Sequence, residues 1–530
     1  MTNILNKINS LFPISDDTVQ VLKENVTCCR FPKKYQLIKA DTYCKSAFFI
    51  EKGITRSFWL VDGEEVTTSF AGEGSIVFSM DELYYGKISE EYVETLEEVE
   101  AYRISRATLT HLFETNIELC NWGRIIHQNE YFCHILQISN SISMSDTTIS
   151  SAAFADTKPH YELLDGLRGV AALLVVFYHI FEGLSFAAGG TPITTINHGY
   201  LAVDFFFILS GFVIGYAYDD RLGKTMTTGN FFKRRLIRLH PMIIMGVILG
   251  AIAFLIQGSV QWDGKHVAIS AVMLSTLCAM FFIPALPGAR YEVRGNGEMF
   301  PLNGPSWSLF FEYIGNILYA VFIHRLSTKA LTVLVVLLGT GLAGFTLFDV
   351  SGYDMIGVGW TLDGVNFLGG SLRMLFPFSL GMLLSRKFKP FQMKGAFWIC
   401  SIVLLILFCV PYIKVDTAPI SLNGLFEAAC IILIFPILVW LGASGKTTDK
   451  RSTQICKFLG DISYPLYAVH YPIMYLFYAW LIDNELYTFA EIWPMAIMVY
   501  AGSIALAYLC LKLYDEPVRK WLGKKFLRKK

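Results

Sequence analysis

From residue 163 to residue 514 the chain is a succession of apolar runs, and that feature limits what it can fold into. About 20 apolar residues in a helix cross the hydrocarbon core of a bilayer. Inside lipid every backbone N–H and C=O must be satisfied within the chain, which favours helices. The candidate runs are 164–185, 200–217, 239–256, 266–285, 305–323, 330–348, 371–386, 396–413, 421–443, 462–481 and 492–514. Hydrophobic residues make up 54% and charged residues 17%, and the mean hydropathy is +0.46. A disordered, collagen-like or wholly soluble chain is excluded. Lys plus Arg and Asp plus Glu balance at 44 each, so no global basic surface points to nucleic acid.

The basic residues orient the runs, because Lys and Arg concentrate on the cytoplasmic side. Segments 221–238, 386–394, 446–457 and 518–530 are basic and are expected inside. Segments 186–199, 349–370 and 482–491 carry no Lys or Arg and are expected outside. Both termini then fall in the cytoplasm, which demands an even number of crossings. Treating 266–285 as re-entrant or interfacial leaves about ten spans, turns 257–304 into an external loop and predicts a multi-pass protein of the cytoplasmic (inner) membrane. The opening MTNILNKINSLF lacks the apolar core of a secretory signal. Eleven cysteines are scattered without disulfide or metal-ligand spacing, so neither a metal nor a bound cofactor is expected.

Residues 1–140 have different physics. Tyr35–Lys39, Ala47–Lys52, Thr55–Val61 and Glu65–Phe70 read as short strands, with Asp62-Gly63 as a hairpin turn. A further strand is predicted from Val93 to Ile104, and Ser105 is placed as the N-cap of a helical pattern running to Ile138. This is a soluble β-rich unit closed by helices. Residues 141–159, rich in Ser, Thr, Ala and Asp, read as a linker to the membrane unit at 160–522, and 523–530 form a basic tail.

Ionisable side chains inside a span are costly and mark function. Arg168 and His179 are eleven residues apart, so they share one helix face at a separation of about 16 Å. Arg168 falls near the inner boundary, as a snorkelling anchor or as a functional cation. His179 falls in the outer half, and an imidazole is the natural general base for attack by a hydroxyl. Asp204 starts the second span and is either the carboxylate that orients His179 or an ordinary N-terminal helix charge. Ser210-Gly211 reads as close helix packing. Arg235 and Arg238 share a face at the cytoplasmic mouth, where positive-inside topology or an anionic phosphate donor accounts for them. Ser308 and Glu312 share a face in the outer half of their span, and His470 is a further mid-span candidate. A basic mouth inside and an acid/base cluster of His179, Asp204 and Glu312 outside is the layout of a group carried across the bilayer.

The stretches LDGLRGVAALLVVFYH, GYLAVDFFFILSGFVIG, FFKRRLIRLHP, NGPSWSLFFEY, SYPLYAVHYP and YDEPVRKWL, in that order, resemble the membrane-bound acyltransferase family 3, integral-membrane O-acyltransferases of bacterial glycans. The resemblance implies an acyl-CoA donor, usually acetyl-CoA, presented from the cytoplasm, and a sugar hydroxyl as acceptor on the far side. It implies His179 as catalytic base or acyl-handling residue, Glu312 as an active-site acid and Arg168, Arg235 and Arg238 as donor-binding residues. FFIEKGITRSFW and GEGSIVFS resemble the cyclic nucleotide-binding β-roll of Crp/Fnr-like regulators. There the sequence departs from the pattern, offering Glu90, Glu91 and Glu94 where an arginine would grip the cyclic phosphate. Carboxylates repel phosphate, so the roll is expected to lack cyclic nucleotide and to regulate the transferase in some other way. The competing readings are a nucleotide-gated channel or transporter, against which no selectivity-filter motif or arginine ladder stands in the spans, and a membrane receptor with a decayed transferase site.

Overall fold

The computed structural model describes residues 1–11, 13–61, 64–79, 88–89, 91–123, 161–193, 195–388, 391, 393, 395–413, 419–445 and 450–527. The chain divides into two compact units, Met1–Phe154 and Ala155–Lys530. The linker, the Asp62-Gly63 turn, Glu90 and the helical pattern beyond residue 123 lie outside the described residues.

The first unit opens with helices α1 (Thr2–Leu11) and α2 (Asp16–Glu24). Eight strands follow: β1 (Thr27–Phe31), β2 (Gln36–Ile38), β3 (Ser46–Lys52), β4 (Thr55–Val61), β5 (Glu64–Ala71), β6 (Ile76–Val77), β7 (Tyr92–Thr95) and β8 (Val99–Ser105). They form two antiparallel four-stranded sheets, ordered β1-β8-β3-β6 and β2-β7-β4-β5. Phe48, Ile50, Val93, Val99 and Ala101 pack into one buried cluster drawn from both sheets. The single strand expected at 93–104 is two strands in different sheets. The chain turns the corner at the exposed pair Glu97 and Glu98, where the Leu96 amide donates to the Ile54 carbonyl at 2.9 Å. Ser105 caps helix α3 (Arg106–Thr115) as expected, its Oγ accepting the Thr108 amide at 3.1 Å. Ile4, Ile8, Leu22, Leu109, Leu112 and Trp122 bury the helices against Phe49 and Ile104. Burial alone would raise the Glu51 carboxyl. The Asn3 and Ile4 amides and the amino terminus donate to it instead, and hold it below the usual carboxylate range.

The second unit is helical: α4 (Glu162–Ala187), α5 (Ala202–Tyr218), α6 (Thr228–Ile256), α7 (Ile269–Met280), α8 (Ser306–Val321), α9 (Thr328–Leu347), α10 (Gly364–Lys387), α11 (Ala396–Phe408), α12 (Leu422–Ala429), α13 (Phe435–Ser444), α14 (Lys450–Val469), α15 (Tyr471–Asp483), α16 (Phe489–Cys510) and α17 (Glu516–Phe526). Among the described residues, eight helical stretches are long and apolar enough to cross a bilayer. Apolar side chains such as Ile252, Val336, Leu337 and Ile497 face outward on these helices, the surface expected against lipid. The protein is a polytopic helical membrane protein carrying a β-roll before its spans.

Four differences from the sequence reading matter for the site. Helix α6 begins at Thr228, capped by the Thr227 hydroxyl, so Lys233–Arg238 lie inside the helix rather than in a loop. The run at 462–481 falls across two helices, α14 and α15, which meet at His470. Helix α11 has 13 residues, and a π turn at Cys430–Ile434 interrupts the run at 421–443. Between α6 and α8 stands only the 12-residue α7. The rest of that segment is pinned by Arg294, whose guanidinium lies within 5.0 Å of the Phe254, Trp262 and Tyr475 rings.

Helices α5 and α10 pack closely because each presents a glycine to the other's backbone. A Cβ at Gly211 would sit 2.0 Å from the Phe378 carbonyl oxygen, and one at Gly381 would sit 2.1 Å from that of Ile208. No rotamer change relieves a clash with backbone, and small residues at such crossings are what allow close approach in membranes. We expect Gly211→Ala to force α5 and α10 apart and to cost about 1–3 kcal/mol, read as a lower melting temperature of the detergent-purified protein.

Candidate active site

Helices α4, α5, α6, α8 and α14 enclose a cavity of about 800 Å³, counting the space at its opening. Its polar lining is Arg168 from α4, Ser210 from α5, Arg235 and Arg238 from α6, Ser308 and Glu312 from α8, and Ser463, Tyr464 and Tyr467 from α14. Three guanidinium groups in a low-dielectric cavity make a site for an anion.

Each arginine is held differently. Arg168 pairs with Asp165 at 2.8 Å and donates through Nε to the Ser463 hydroxyl at 2.9 Å. Arg235 is already neutralised, its Nη2 donating to Glu312 Oε1 at 2.7 Å, and the same oxygen accepts the Ser210 hydroxyl at 2.9 Å. Arg238 is the exposed one of the three. The placement of Glu312 corrects the expected outer cluster: it sits among the arginines. Helix α6 has 29 residues and is therefore about 44 Å long, which puts Arg235 about 10 Å inside it. Glu312 lies six residues into α8, and the two side chains meet partway along both helices.

Asp204 is corrected as well. Both its oxygens accept from Arg373, at 3.1 and 2.7 Å, and neither residue is more than 1% exposed. Arg373 also donates to the Val358 and Tyr200 carbonyls and lies over the Trp307 ring. Asp204 thus locks α5 to α10 instead of orienting the imidazole.

The partner of His179 is Glu182, one turn further along α4. His179 Nδ1 and Glu182 Oε2 are 2.6 Å apart. Glu182 also accepts hydroxyls from Tyr178 at 3.2 Å and Tyr478 at 3.0 Å. A carboxylate on Nδ1 fixes the Nδ1–H tautomer and leaves Nε2 with its lone pair, the arrangement of an oriented general base. Sequence reasoning missed Glu182, although its i, i+3 spacing from His179 was available.

His179 does not line the arginine cavity. Rings connect the two places. Tyr467 lines the cavity, and its hydroxyl is 2.6 Å from that of Ser308. The Tyr467 ring centroid is 6.0 Å from that of His470, and the His470 and His179 rings stack at 5.3 Å. The sequence candidates therefore fall into two groups joined by His470: Arg168, Arg235, Arg238, Ser308 and Glu312 on the cavity, and His179 beyond it. A second buried cluster, His198, Tyr200 and Glu427, ties the α12 segment to the turn before α5. His198 and Glu427 have no exposed side-chain surface, so it braces the fold. In the roll, Glu94 ion-pairs with Arg56, which also pairs with Glu65, and Glu91 accepts the Thr68 hydroxyl at 2.6 Å.

Comparison with known proteins fits this geometry. Residues 161–512 match the family model described as an acyltransferase domain, and the chain belongs to that acyltransferase family. Residues 24–116 match the model of a cyclic nucleotide-binding domain. The chain is 37% identical over 180 residues to protein 2 in the picA locus of Rhizobium radiobacter, covering 33% of this chain and 87% of that one. It is 25% identical over 377 residues to the peptidoglycan O-acetyltransferase of Listeria monocytogenes, a match that takes in 67% of this chain. The chain spans 55% of that enzyme's length. A solved cyclic nucleotide-binding domain from Methylobacillus flagellatus overlaps 28% of this chain and 86% of its own, at 18% identity and a TM-score of 0.25. The roll rests on the domain match and the strand order, not on that overlap.

If Glu182 orients His179, Glu182→Gln lowers kcat at least about tenfold by removing the charge that stabilises the imidazolium, while donor affinity is unchanged. Stopped-time assays at saturating acyl donor, alongside a donor-binding titration, make that separation.

Proposed function

We propose that the chain moves an acetyl group from acetyl-CoA to a hydroxyl of a cell-envelope glycan. The observation that carries this reading is the carboxylate-oriented imidazole of His179, joined through stacked rings to a cavity lined by three arginines. The donor's phosphates meet Arg168 and Arg238, with Arg235 held in place by Glu312. Ser308 and Tyr467 stand where the thioester end arrives. His179 Nε2 takes the proton of the acceptor hydroxyl as its oxygen attacks the acyl carbonyl carbon, and Glu182 stabilises the imidazolium that results. The similarity to a peptidoglycan O-acetyltransferase favours a glycan acceptor. The orientation rests on the basic segments: an inner-membrane protein with both termini and the β-roll in the cytoplasm.

Two outcomes test this. With purified protein in nanodiscs, His179→Ala lowers acetyl transfer by roughly 10²–10⁴-fold without weakening donor binding. Arg238→Ala raises the donor Kd about tenfold, equivalent to about 1.4 kcal/mol, and leaves kcat at saturation near wild type. A His179→Ala protein that retains wild-type transfer overturns the assignment.

The roll is assigned as a regulatory module that takes no cyclic nucleotide. Arg56 already carries two carboxylates, and Glu91 and Glu94 add negative charge to the strand where a phosphate would bind. Titration of the full-length protein with cAMP and with cGMP is expected to give no binding up to millimolar ligand, about −4 kcal/mol. Saturable binding below that level reverses this assignment.

A further inference from the structure

His470 is a nucleophilic group that the mechanism above leaves unused. Its Nδ1 lies 2.9 Å from the Leu466 carbonyl oxygen and 3.0 Å from that of Tyr467. A carbonyl only accepts, so Nδ1 carries the hydrogen and Nε2 carries the lone pair. Nε2 is buried and has no hydrogen-bond partner among the described residues, and the residue is 0% exposed. Buried polar atoms left without a partner are uncommon in native structures, and each calls for an explanation.

The two imidazoles of the site are built for different work. His179 has Glu182 on its Nδ1, which orients the ring and leaves the Nε2 lone pair to take a proton. The Nδ1 of His470 faces two backbone carbonyls, and among the described residues no carboxylate pairs with it, so nothing on this ring favours work as a base. A neutral ring with a bare Nε2 is a nucleophile. Its position matches that role: Tyr467, which lines the donor cavity, is on one side of it, and His179 is stacked on the other. The chain also breaks from α14 to α15 at this residue.

We propose that His470 Nε2 carries the acyl group between donor and acceptor, a step that rests on the acetyltransferase reading above. With the Tyr467 ring displaced, the Nε2 lone pair attacks the thioester carbonyl carbon. The C–S bond breaks and CoA leaves as its thiolate. The product is an N-acyl imidazolium whose Nδ1–H remains on the Leu466 and Tyr467 carbonyls. The acceptor oxygen then attacks the acyl carbon while His179 Nε2 takes its proton. The C–N bond breaks and returns the lone pair to His470, and the proton on His179 passes to the thiolate or to solvent. Thioester and alcohol become ester and thiol, with nothing else consumed.

The test uses the full-length protein in nanodiscs with acetyl-CoA and no acceptor. A covalent carrier gives a rapid burst of one CoA per chain, and peptide mass spectrometry of quenched wild-type protein finds the acetyl group on His470. His179→Ala keeps the burst, because the base acts only in the second step. His470→Gln abolishes the burst while still binding donor, and that binding shows the variant is folded. A burst that survives in His470→Gln, an acetyl group on another residue, or a wild type that transfers to acceptor with no burst overturns the proposal and leaves direct transfer. A folded wild type that neither binds nor turns over acetyl-CoA overturns the acetyltransferase reading itself.

Discussion

A charge inside an apolar helical bundle must be paired, and the Arg373–Asp204 contact shows how this rule organises the structure. Both groups are out of water. Removing either would leave the other as an uncompensated buried charge, at a cost of about 3–5 kcal/mol. The pair joins α5 to α10, and the remaining Arg373 donors hold the Val358 and Tyr200 carbonyls in irregular segments on either side. The glycine crossing of Gly211 and Gly381 brings the same two helices close. Together they form the rigid wall from which Ser210 reaches Glu312.

The same rule separates structural charges from chemical ones. Asp204, Glu427 and Arg294 are buried and satisfied largely by neighbours that do not line the arginine cavity. Arg238 remains exposed at the cavity, and His179 and Glu182, beyond it, are partly exposed, 14% and 32% at their side chains. The Arg373–Asp204 pair that joins two helices is fully buried, whereas Arg238, His179 and Glu182 keep some exposure. Arg235 belongs to both sets, because its pairing with Glu312 fixes a guanidinium whose Nη2 is already committed.

Much of the arrangement was legible in local spacing. The eleven-residue interval from Arg168 to His179 predicts a shared face, and both side chains do turn toward α14 and α15, through Ser463 and His470. Ser308 and Glu312, one turn apart, both line the cavity. The alternation in the first 105 residues located most strands, and the misread stretch at 93–104 was one in which alternation continues while the chain changes sheet. Depth was not legible. Nothing local says that α6 extends eleven residues before the apolar run, and so nothing placed Arg235 beside Glu312 rather than at the helix end.

The sequence by itself determined that this chain spans a membrane, that a β-roll precedes the spans, and which polar side chains are too costly to bury without purpose. Those conclusions follow from composition and from helical and strand periodicity, which are properties of neighbouring residues. The tertiary structure decided the partners. Asp204 went to Arg373, Glu312 to Arg235, Glu182 to His179, and His470 was set between the cavity and His179. A buried charge or ring takes its partner from whichever helix packs beside it, and helix packing depends on shapes and lengths far apart in the chain.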